Sequence, residues 1–430
     1  MKYRIFIILF FSTFVFVTSQ VQINESNHFR FKHLSIKSTQ LLNDTAYKHL
    51  VEIPILGFES QISSNPGFNS FMKKQGDKII INFDNYHHHI NESSHHSFNV
   101  RNNLFRYSIK NNNSVYSFGI THNLFAEFSL SKELVDLLVN GNYNYLNQTF
   151  SIDDQNYAHG YNFFSIYFGY SKNLSERTFL SSKFKLIKGI SSVGLNIEQA
   201  SFLFADNFNT YENPFSLDLD SEAVYFRHHN YNLFSNLGFG VDLYLDYDYT
   251  EKLNLYLELN DLGFIFWKEN QYVSSGTLYF DGLDFALDQI LETEYNNFAD
   301  TIIDVFQLEK NSMNQLRVLP LDINLGVSYL LNDDVSELNI NYSVQKLYNS
   351  FLHTAKLSYL RYIEQYDLTV IPSYSINKYS YSNFSFAIHK RWKNRFLTNL
   401  YVTNLPNFMY GHESNRMNLL GFGSEFYILF

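Results

Sequence analysis

The sequence predicts an all-β protein: a transmembrane antiparallel β-barrel of about 14 strands, with roughly 12 to 16 allowed, and one amphipathic helix in a loop or plug. Two features of composition and one of pattern predict it. Aromatic residues make up 18% of the chain, including 43 Phe and 33 Tyr, while charged residues make up 17%. Soluble domains carry about 25% charged residues, whereas barrels carry aromatic girdles. Segments in which apolar and polar residues alternate recur to the end of the chain.

The N-terminus predicts a signal peptide over residues 1–19. Two basic residues precede an apolar run, residues 5–17, and small residues follow it. This run is shorter than the about 20 residues that a membrane-spanning helix needs. We therefore expect an exported chain, with residues 20–50 as an N-terminal arm and residues 51–430 as the barrel. The sequence contains no cysteine, so hydrogen-bonded strands rather than disulfides must hold the fold together.

Strand-like alternation begins where the predicted barrel begins. Pro54 and Gly57 interrupt the first such segment, and proline within a strand pattern marks an edge position or a break. Later strands are predicted at Ser114–Leu130, on both sides of the turn Asn173–Arg177, and at Leu321–Tyr329, Leu338–Val344, Leu368–Tyr374 and Phe384–Ile388.

The clearest hairpin lies between Leu237 and Leu259. One face of both arms is aliphatic, and the other holds carboxylates, amides and glycines. In a soluble sandwich the aliphatic face would be the core, whereas in a barrel it meets lipid and the polar face lines the lumen. The number of such strands and the small number of prolines favour the barrel. Four carboxylates would then form either a cation-favouring lining or a simply solvated interior: Asp242, Asp246, Glu258 and Asp322.

Two segments have helical periodicity instead. The pattern over Lys132–Asn142 predicts a short helix that Gly141 stops. From Leu287 to Leu308 apolar residues recur on one face, so a helical insertion is expected near residues 284–308. Such a helix cannot face lipid, and we expect it to pack as a loop helix or to plug the lumen.

The last twelve residues, Leu419–Phe430, alternate and end on an aromatic residue. One face would carry Phe422, Phe426, Ile428 and Phe430, and the other Gly423, Glu425, Tyr427 and Leu429. A closing strand of this kind predicts two partners, the barrel-assembly machinery and outer-membrane lipid. Counting back from this end, Arg391–Arg395 is a predicted periplasmic turn with Trp392 at the interface, and Leu405–Asn418 is a predicted outer loop.

Histidines form the most prominent candidate for chemistry. His87, His88 and His89 are followed by Glu92, His95 and His96, and clustered imidazoles can chelate Zn, Cu or Ni. Consecutive residues of a strand point to opposite faces, however, so the expectation is a polar hairpin or loop without a metal.

Catalysis and nucleic-acid binding are not expected. No G-x-S-x-G motif is present, and Asn383, Ser385 and His389 are interpreted as ordinary strand residues. The net charge of −10 disfavours nucleic acid, since phosphate binding needs a basic stripe. We therefore predict neither an enzyme nor a cofactor.

Several stretches resemble a family of Gram-negative outer-membrane barrels catalogued only as a domain of unknown function, which is distantly similar to FadL-type transporters and PorV-type barrels of type IX secretion. The resemblance implies an outer-membrane barrel but no substrate and no ligand-binding residues. Where FadL-like proteins carry an Asn-Pro-Ala turn, this chain has Asn43-Asp44-Thr45-Ala46. The matching stretches follow one another along the chain: Glu52–Ser60, Lys132–Asn142, Lys183–Ile190, Leu259–Asn270, Leu319–Leu331, Asn399–Phe408 and the C-terminal strand.

Two functions are therefore carried forward. The first is an outer-membrane channel or transporter for small, hydrophobic molecules. The second is a non-catalytic scaffold that binds other envelope or secretion proteins through outer loops such as Leu405–Asn418. A barrel hydrolase is a third class and ranks below both.

Overall fold

The fold is seen in a computed structural model. It describes residues 47–53, 57–75, 78–141, 143–145, 148–204, 217–227, 235–280, 309–331, 335–347, 351–378, 383–393, 395–403 and 419–430. Four predictions lie outside these residues, wholly or in large part: the signal peptide, the N-terminal arm, the helical insertion near residues 284–308 and the outer loop Leu405–Asn418.

The described residues form a single closed wall of fourteen antiparallel strands, as predicted, and a small lobe. Three strands have two segments each, because both segments pair with the same neighbour. In chain order the strands are β1 (His49–Glu52 and Gly57–Asn65), β2 (Ser93–Asn111), β3 (Ser114–Ser131), β4 (Thr149–Asn173), β5 (Thr178–Phe204), β6 (Leu217–Arg227 and Leu237–Asp248), β7 (Leu253–Phe280), β8 (Glu309–Val318 and Asp322–Leu330), β9 (Ser336–Lys346), β10 (Phe351–Ile363), β11 (Leu368–Asn377), β12 (Asn383–Trp392), β13 (Phe396–Thr403) and β14 (Leu419–Leu429).

Pairing of the last strand with the first closes the wall. Leu429 lies opposite Leu50, and Phe422 lies opposite Ser60. Closure leaves neither strand with an exposed edge. The short turns, such as residues 112–113 and 249–252, lie at the same end of the barrel as Phe430, which we call the turn end. The opposite end is the loop end.

The wall is tall on one side and low on the other. Strands β4, β5 and β7 contain 25, 27 and 28 residues, whereas β12 and β13 contain 10 and 8. The tall side therefore rises well beyond the low side at the loop end.

The predicted alternation is confirmed in the hairpin and in the last strand. Leu237 and Leu245 are exposed on the outside, while Tyr244 and Asp246 are buried on the inside. Phe422 is likewise exposed and Tyr427 buried. The first strand begins at His49, two residues before the predicted boundary, and it is interrupted near Pro54 as the sequence predicts.

A small lobe is attached at the loop end, outside the wall. It contains α1 (Phe68–Phe71), a hairpin formed by Met72–Gln75 and Lys78–Ile81, α2 (Phe83–His89) and α3 (Lys132–Asn140). Phe71, Tyr86, Ile90 and Val135 form its core, against which Leu130 of β3 packs. Leu130 lies on the same face of β3 as the exposed Phe118, so the lobe covers the outer surface of the wall.

Helix α3 ends as predicted, whereas α2 corrects a prediction. Gly141 caps α3 with a φ of +78°, which favours glycine. The segment His87–His89, expected as a polar hairpin or loop, is the last turn of α2. The side chain of Asn82 accepts a hydrogen bond from the backbone N–H of Asn85, and histidines favour the C-terminal end of a helix dipole. Among the helices that the structure describes, none is long and apolar enough to cross a membrane.

Candidate functional site: the barrel lumen

The interior of the barrel is filled in layers, and the layer nearest the turn end is apolar. Its members are buried side chains that seven strands direct inward. We call this layer the floor, and it consists of Leu50, Val115, Phe179, Tyr244, Tyr256, Leu397, Tyr427 and Leu429.

Glycines make room for the tyrosines of the wall. Tyr256 lies directly opposite Gly326 on the neighbouring strand, and a Cβ added to Gly326 would collide with its ring. Tyr167 opposite Gly119 and Tyr401 opposite Gly423 repeat this arrangement. Each ring therefore lies against the inner surface of the wall, in the space that a side chain would otherwise fill.

Above the floor, two basic and two acidic side chains form a network, which we call the latch: Arg101, Lys185, Asp242 and Asp261. Three of them are buried, and the side chain of Arg101 is 25% exposed. Nη2 of Arg101 lies 2.6 Å from Oδ2 of Asp261. Nζ of Lys185 lies 2.6 Å from Oδ1 of Asp261 and 2.6 Å from Oδ1 of Asp242. The latch thus joins side chains from β2, β5, β6 and β7.

A β-bulge places Asp261 in the latch. The register between β6 and β7 shifts between Val241 and Leu243, and Asp261 has a φ of +58°. Its backbone N–H donates to Oδ1 of Asp242 over 2.9 Å. A bulge inserts an extra residue and re-aims a side chain, here toward the lumen.

A second apolar layer lies beyond the latch, toward the loop end. It consists of Phe163, Ile187, Ile265, Trp267 and Leu319, all at most 3% exposed. The ring of Tyr161 on β4 stacks on Trp267 of β7 with 6.5 Å between centroids. The guanidinium of Arg317 lies 5.7 Å from the Tyr161 centroid. The interior therefore contains two apolar layers, this one and the floor, with the latch between them.

All four predicted carboxylates face the lumen and are buried: Asp242, Asp246, Glu258 and Asp322. Asparagine amides hydrogen-bond three of them. Asn254 donates to Asp246 over 2.6 Å, Asn260 to Glu258 over 2.9 Å, and Asn324 to Asp322 over 3.0 Å. The expectation of a simply solvated interior is therefore replaced by a packed polar layer.

Three members of the latch were missed by sequence reasoning: Arg101, Lys185 and Asp261. One signal was present in the sequence. Asn260 and Asp261 are adjacent polar residues between Leu259 and Leu262, and this break in alternation is what a bulge produces. No comparable signal marks Arg101 or Lys185.

The histidines are not brought together. His95 faces the lumen, where Nδ1 lies 3.7 Å from Oε1 of Glu127, while His96 points to the other side and stacks on Phe128. His87 lies in α2, where Nε2 is 3.4 Å from Oδ1 of Asp136. The described residues contain no group of three or more His, Asp or Glu side chains that could hold a metal ion.

Asn383, Ser385 and His389 all lie on the inner face of β12 and are buried. Ser385 and His389 are four residues apart along one strand, which separates them by about 13 Å. A nucleophile and its base need a hydrogen bond, so this pair lacks the geometry of a catalytic dyad.

Comparisons with known proteins give one family and several barrels. The model of a family of unknown function, DUF5723, matches residues 43–398. No curated protein matches. Similar solved structures include the toluene transporter TbuX of Ralstonia pickettii, with 7% identity, 91% of this chain and 90% of that chain covered, and a TM-score of 0.39. The toluene transporter TodX of Pseudomonas putida has 10% identity, 96% and 94% coverage, and a TM-score of 0.42. A FadL homologue of Pseudomonas aeruginosa has 10% identity, 92% and 91% coverage, and a TM-score of 0.43.

Proposed function

This chain belongs to the DUF5723 family of unknown function, and from that premise we propose that it is an outer-membrane barrel of a Gram-negative bacterium that transports small, hydrophobic molecules. The observation that carries the proposal is the apolar layer inside the lumen, which includes Trp267. A water-filled porin has a polar interior. Here five apolar side chains pack against one another in the interior, and an apolar solute that enters between them would be more stable there than in water.

Location in a membrane is supported by the outer surface. Every strand from β2 to β14 exposes at least one large apolar side chain, and water would disfavour such a continuous band. A lipid bilayer accommodates this apolar band, while the closed wall provides hydrogen-bond partners for the backbone N–H and C=O groups. One example from each strand, in order, is Ile109, Phe118, Phe168, Phe184, Leu245, Leu255, Leu325, Ile340, Leu357, Tyr374, Phe384, Leu400 and Phe422.

Gated transport is favoured over an open pore because side chains span the lumen. The Arg101–Asp261 pair connects β2 to β7, and the Tyr161–Trp267 stack connects β4 to β7. Contacts of this kind obstruct a permanently open aqueous path. We expect the purified barrel to show little steady ion conductance in planar bilayers.

Tryptophan fluorescence tests the proposal, because the chain has only two tryptophans. Trp267 is buried in the lumen, and Trp392 is exposed at the turn end. In the variant Trp392→Phe, Trp267 is the single reporter. We expect bromobenzene, a small apolar quencher, to reduce its emission in a saturable manner, while acrylamide in water has little effect.

The matched control is Trp267→Phe, which keeps only Trp392 as a reporter. The ratio of its unquenched to its quenched emission should rise linearly with bromobenzene concentration, without saturation. If Trp267 shows no saturable quenching in a folded barrel, the apolar layer does not bind such solutes, and the transport proposal is wrong.

The scaffold function remains the second candidate, and the lobe outside the wall favours it. Its apolar side chains Leu138 and Ile80 are exposed to 60% and 44%. Exposed apolar groups on a folded lobe suit a protein partner. A scaffold predicts an envelope protein that co-purifies with the barrel and is released by Leu138→Asp, with Trp267 quenching absent. Retention of that protein by the folded variant would rule out the lobe as its binding surface.

A further inference from the structure

The latch connects parts of the wall that are not neighbours. Arg101 on β2 and Asp261 on β7 are 160 residues apart in sequence, and β3 to β6 lie between them in the wall. Their side chains nevertheless meet at 2.6 Å. The pair therefore crosses the interior instead of running along the wall.

Asp261 is the shared member of the latch. One carboxylate oxygen contacts Arg101 and the other contacts Lys185, while its backbone N–H is bound by Asp242. Asp261 is 7% and Lys185 is 6% exposed as whole residues. A buried charge that loses its partner is strongly destabilised until water reaches it. The latch is consequently stable either fully formed or fully hydrated.

The latch lies between the apolar layer and the floor along the lumen, and this position is what matters for transport. Ile187 of the apolar layer follows Lys185 by two residues on the same face of β5, so the two layers touch. The floor lies on the other side of the latch. A solute that leaves the apolar layer toward the turn end meets the ion pairs next.

We propose that the latch is the gate of the lumen, with Arg101 and Asp261 as the pair that closes it. This proposal rests on the proposed transport function, since a gate matters only where something passes. Opening separates Arg101 from Asp261 and admits water to both charges. The apolar layer then holds the solute on one side of a barrier that is charged, narrow and reversible.

Single-channel recording in planar bilayers tests the gate with the protein alone. Asp261→Asn leaves Arg101 and Lys185 without their shared carboxylate, so water should enter and the barrel should leak. We expect an open probability at least roughly tenfold above that of the unaltered protein, since losing one partner of such an ion pair shifts the equilibrium between the closed and open states by more than about a factor of ten. Arg101→Gln should leak similarly, and Arg101→Lys, which keeps the charge, should leak less than Arg101→Gln.

Asp246→Asn is the matched control. Asp246 is also a buried carboxylate on the inner face, but Asn254 and Tyr244, which donate hydrogen bonds to it, lie on the adjacent strand and on its own strand. Asp246→Asn should therefore conduct no more current than the unaltered protein. Heat-modifiable gel migration establishes that each variant is folded, and Arg101→Gln decides the test if Asp261→Asn fails to fold.

Two outcomes separate the gate from the function. If folded Arg101→Gln conducts no more than the unaltered protein, the latch is not the gate, whatever the solute. If the variants leak as expected but Trp267 shows no saturable quenching, the gate stands and the hydrophobic solute is wrong.

Discussion

Asp136 is the residue at which the parts of the outer lobe meet. Its carboxylate accepts hydrogen bonds from the Asn140 amide, at 2.6 Å, and from the Tyr145 hydroxyl, and His87 of α2 lies 3.4 Å away. Burial alone would raise the pKa of Asp136. The hydrogen bonds from Tyr145 and Asn140, together with the nearby His87 and Lys132, outweigh burial and lower that pKa below its ordinary value.

A lowered pKa makes the attachment of α3 dependent on pH. Because the folded pKa lies below the unfolded one, the stabilisation is fully present above about pH 4 and is lost as pH falls through the folded pKa. We expect hydrogen exchange in Lys132–Asn140, corrected for intrinsic rates, to accelerate at acid pH while the strands stay protected. Asp136→Asn should cost about 1 kcal/mol and remove that pH dependence. An unchanged acid response in the variant would contradict this role.

Single residues also mark the limit of what the sequence can predict. Alternation identifies Asp242 and Glu258 as inward-facing, because a strand has a period of two. It cannot identify Arg101 as the partner of Asp261, since side chains that meet across a lumen share no local pattern. The latch depends on how the whole wall curves, and that information is distributed over many strands.

At the scale of elements, pairs of neighbouring strands fix the shape of the interior. Tyr256 on β7 occupies the space beside Gly326 on β8, so Gly326→Ala has to push the ring away from the wall. Such overpacking typically costs about 1–3 kcal/mol. We expect a lower midpoint temperature for the heat-modifiable gel shift.

Gly240→Ala is the control for this prediction. Its added Cβ would come no closer than 3.3 Å to any atom beyond its chain neighbours, and that atom is the flexible end of Ile187. Its midpoint should stay near that of the unaltered protein. Equal midpoint temperatures for Gly326→Ala and Gly240→Ala would show that moving the Tyr256 ring costs no stability.

Strands were easier to predict than the short helix at the histidines. The wall repeats one pattern over many segments, and each repeat supports the others. Helix α2 has seven residues and depends on Asn82 as its cap and on Tyr86 packing into the lobe. A segment this short gains most of its stability from tertiary contacts, which periodicity does not report.

Closure of the whole barrel depends on the contact between the start of β1 and the residue that follows β14. The backbone N–H of His49 donates to the carbonyl of Phe430 over 2.9 Å, and the two rings stack at 5.2 Å. Phe430→Gln keeps the backbone bond but loses the stack and the terminal aromatic. We expect less folded protein in the outer-membrane fraction, measured as the heat-modifiable species.

Phe422→Gln is the comparison, because Phe422 is another exposed aromatic on the same strand. It should reduce the outer-membrane level less than Phe430→Gln. Equal levels for Phe430→Gln and the unaltered protein would mean that the terminal aromatic has no part in assembly.

The break in β1 affects how easily the incomplete barrel can pair with other chains. The first strand is synthesised first, yet one of its two partners is the last strand, so its edge must wait until the chain is complete. A long, regular strand edge that remains unpaired can form hydrogen bonds with other chains and cause aggregation. Two short segments of 4 and 9 residues, with Pro54 in the sequence between them, make a poor template for such pairing. We therefore expect the interruption to limit aggregation of the unfinished barrel until this non-local pairing forms.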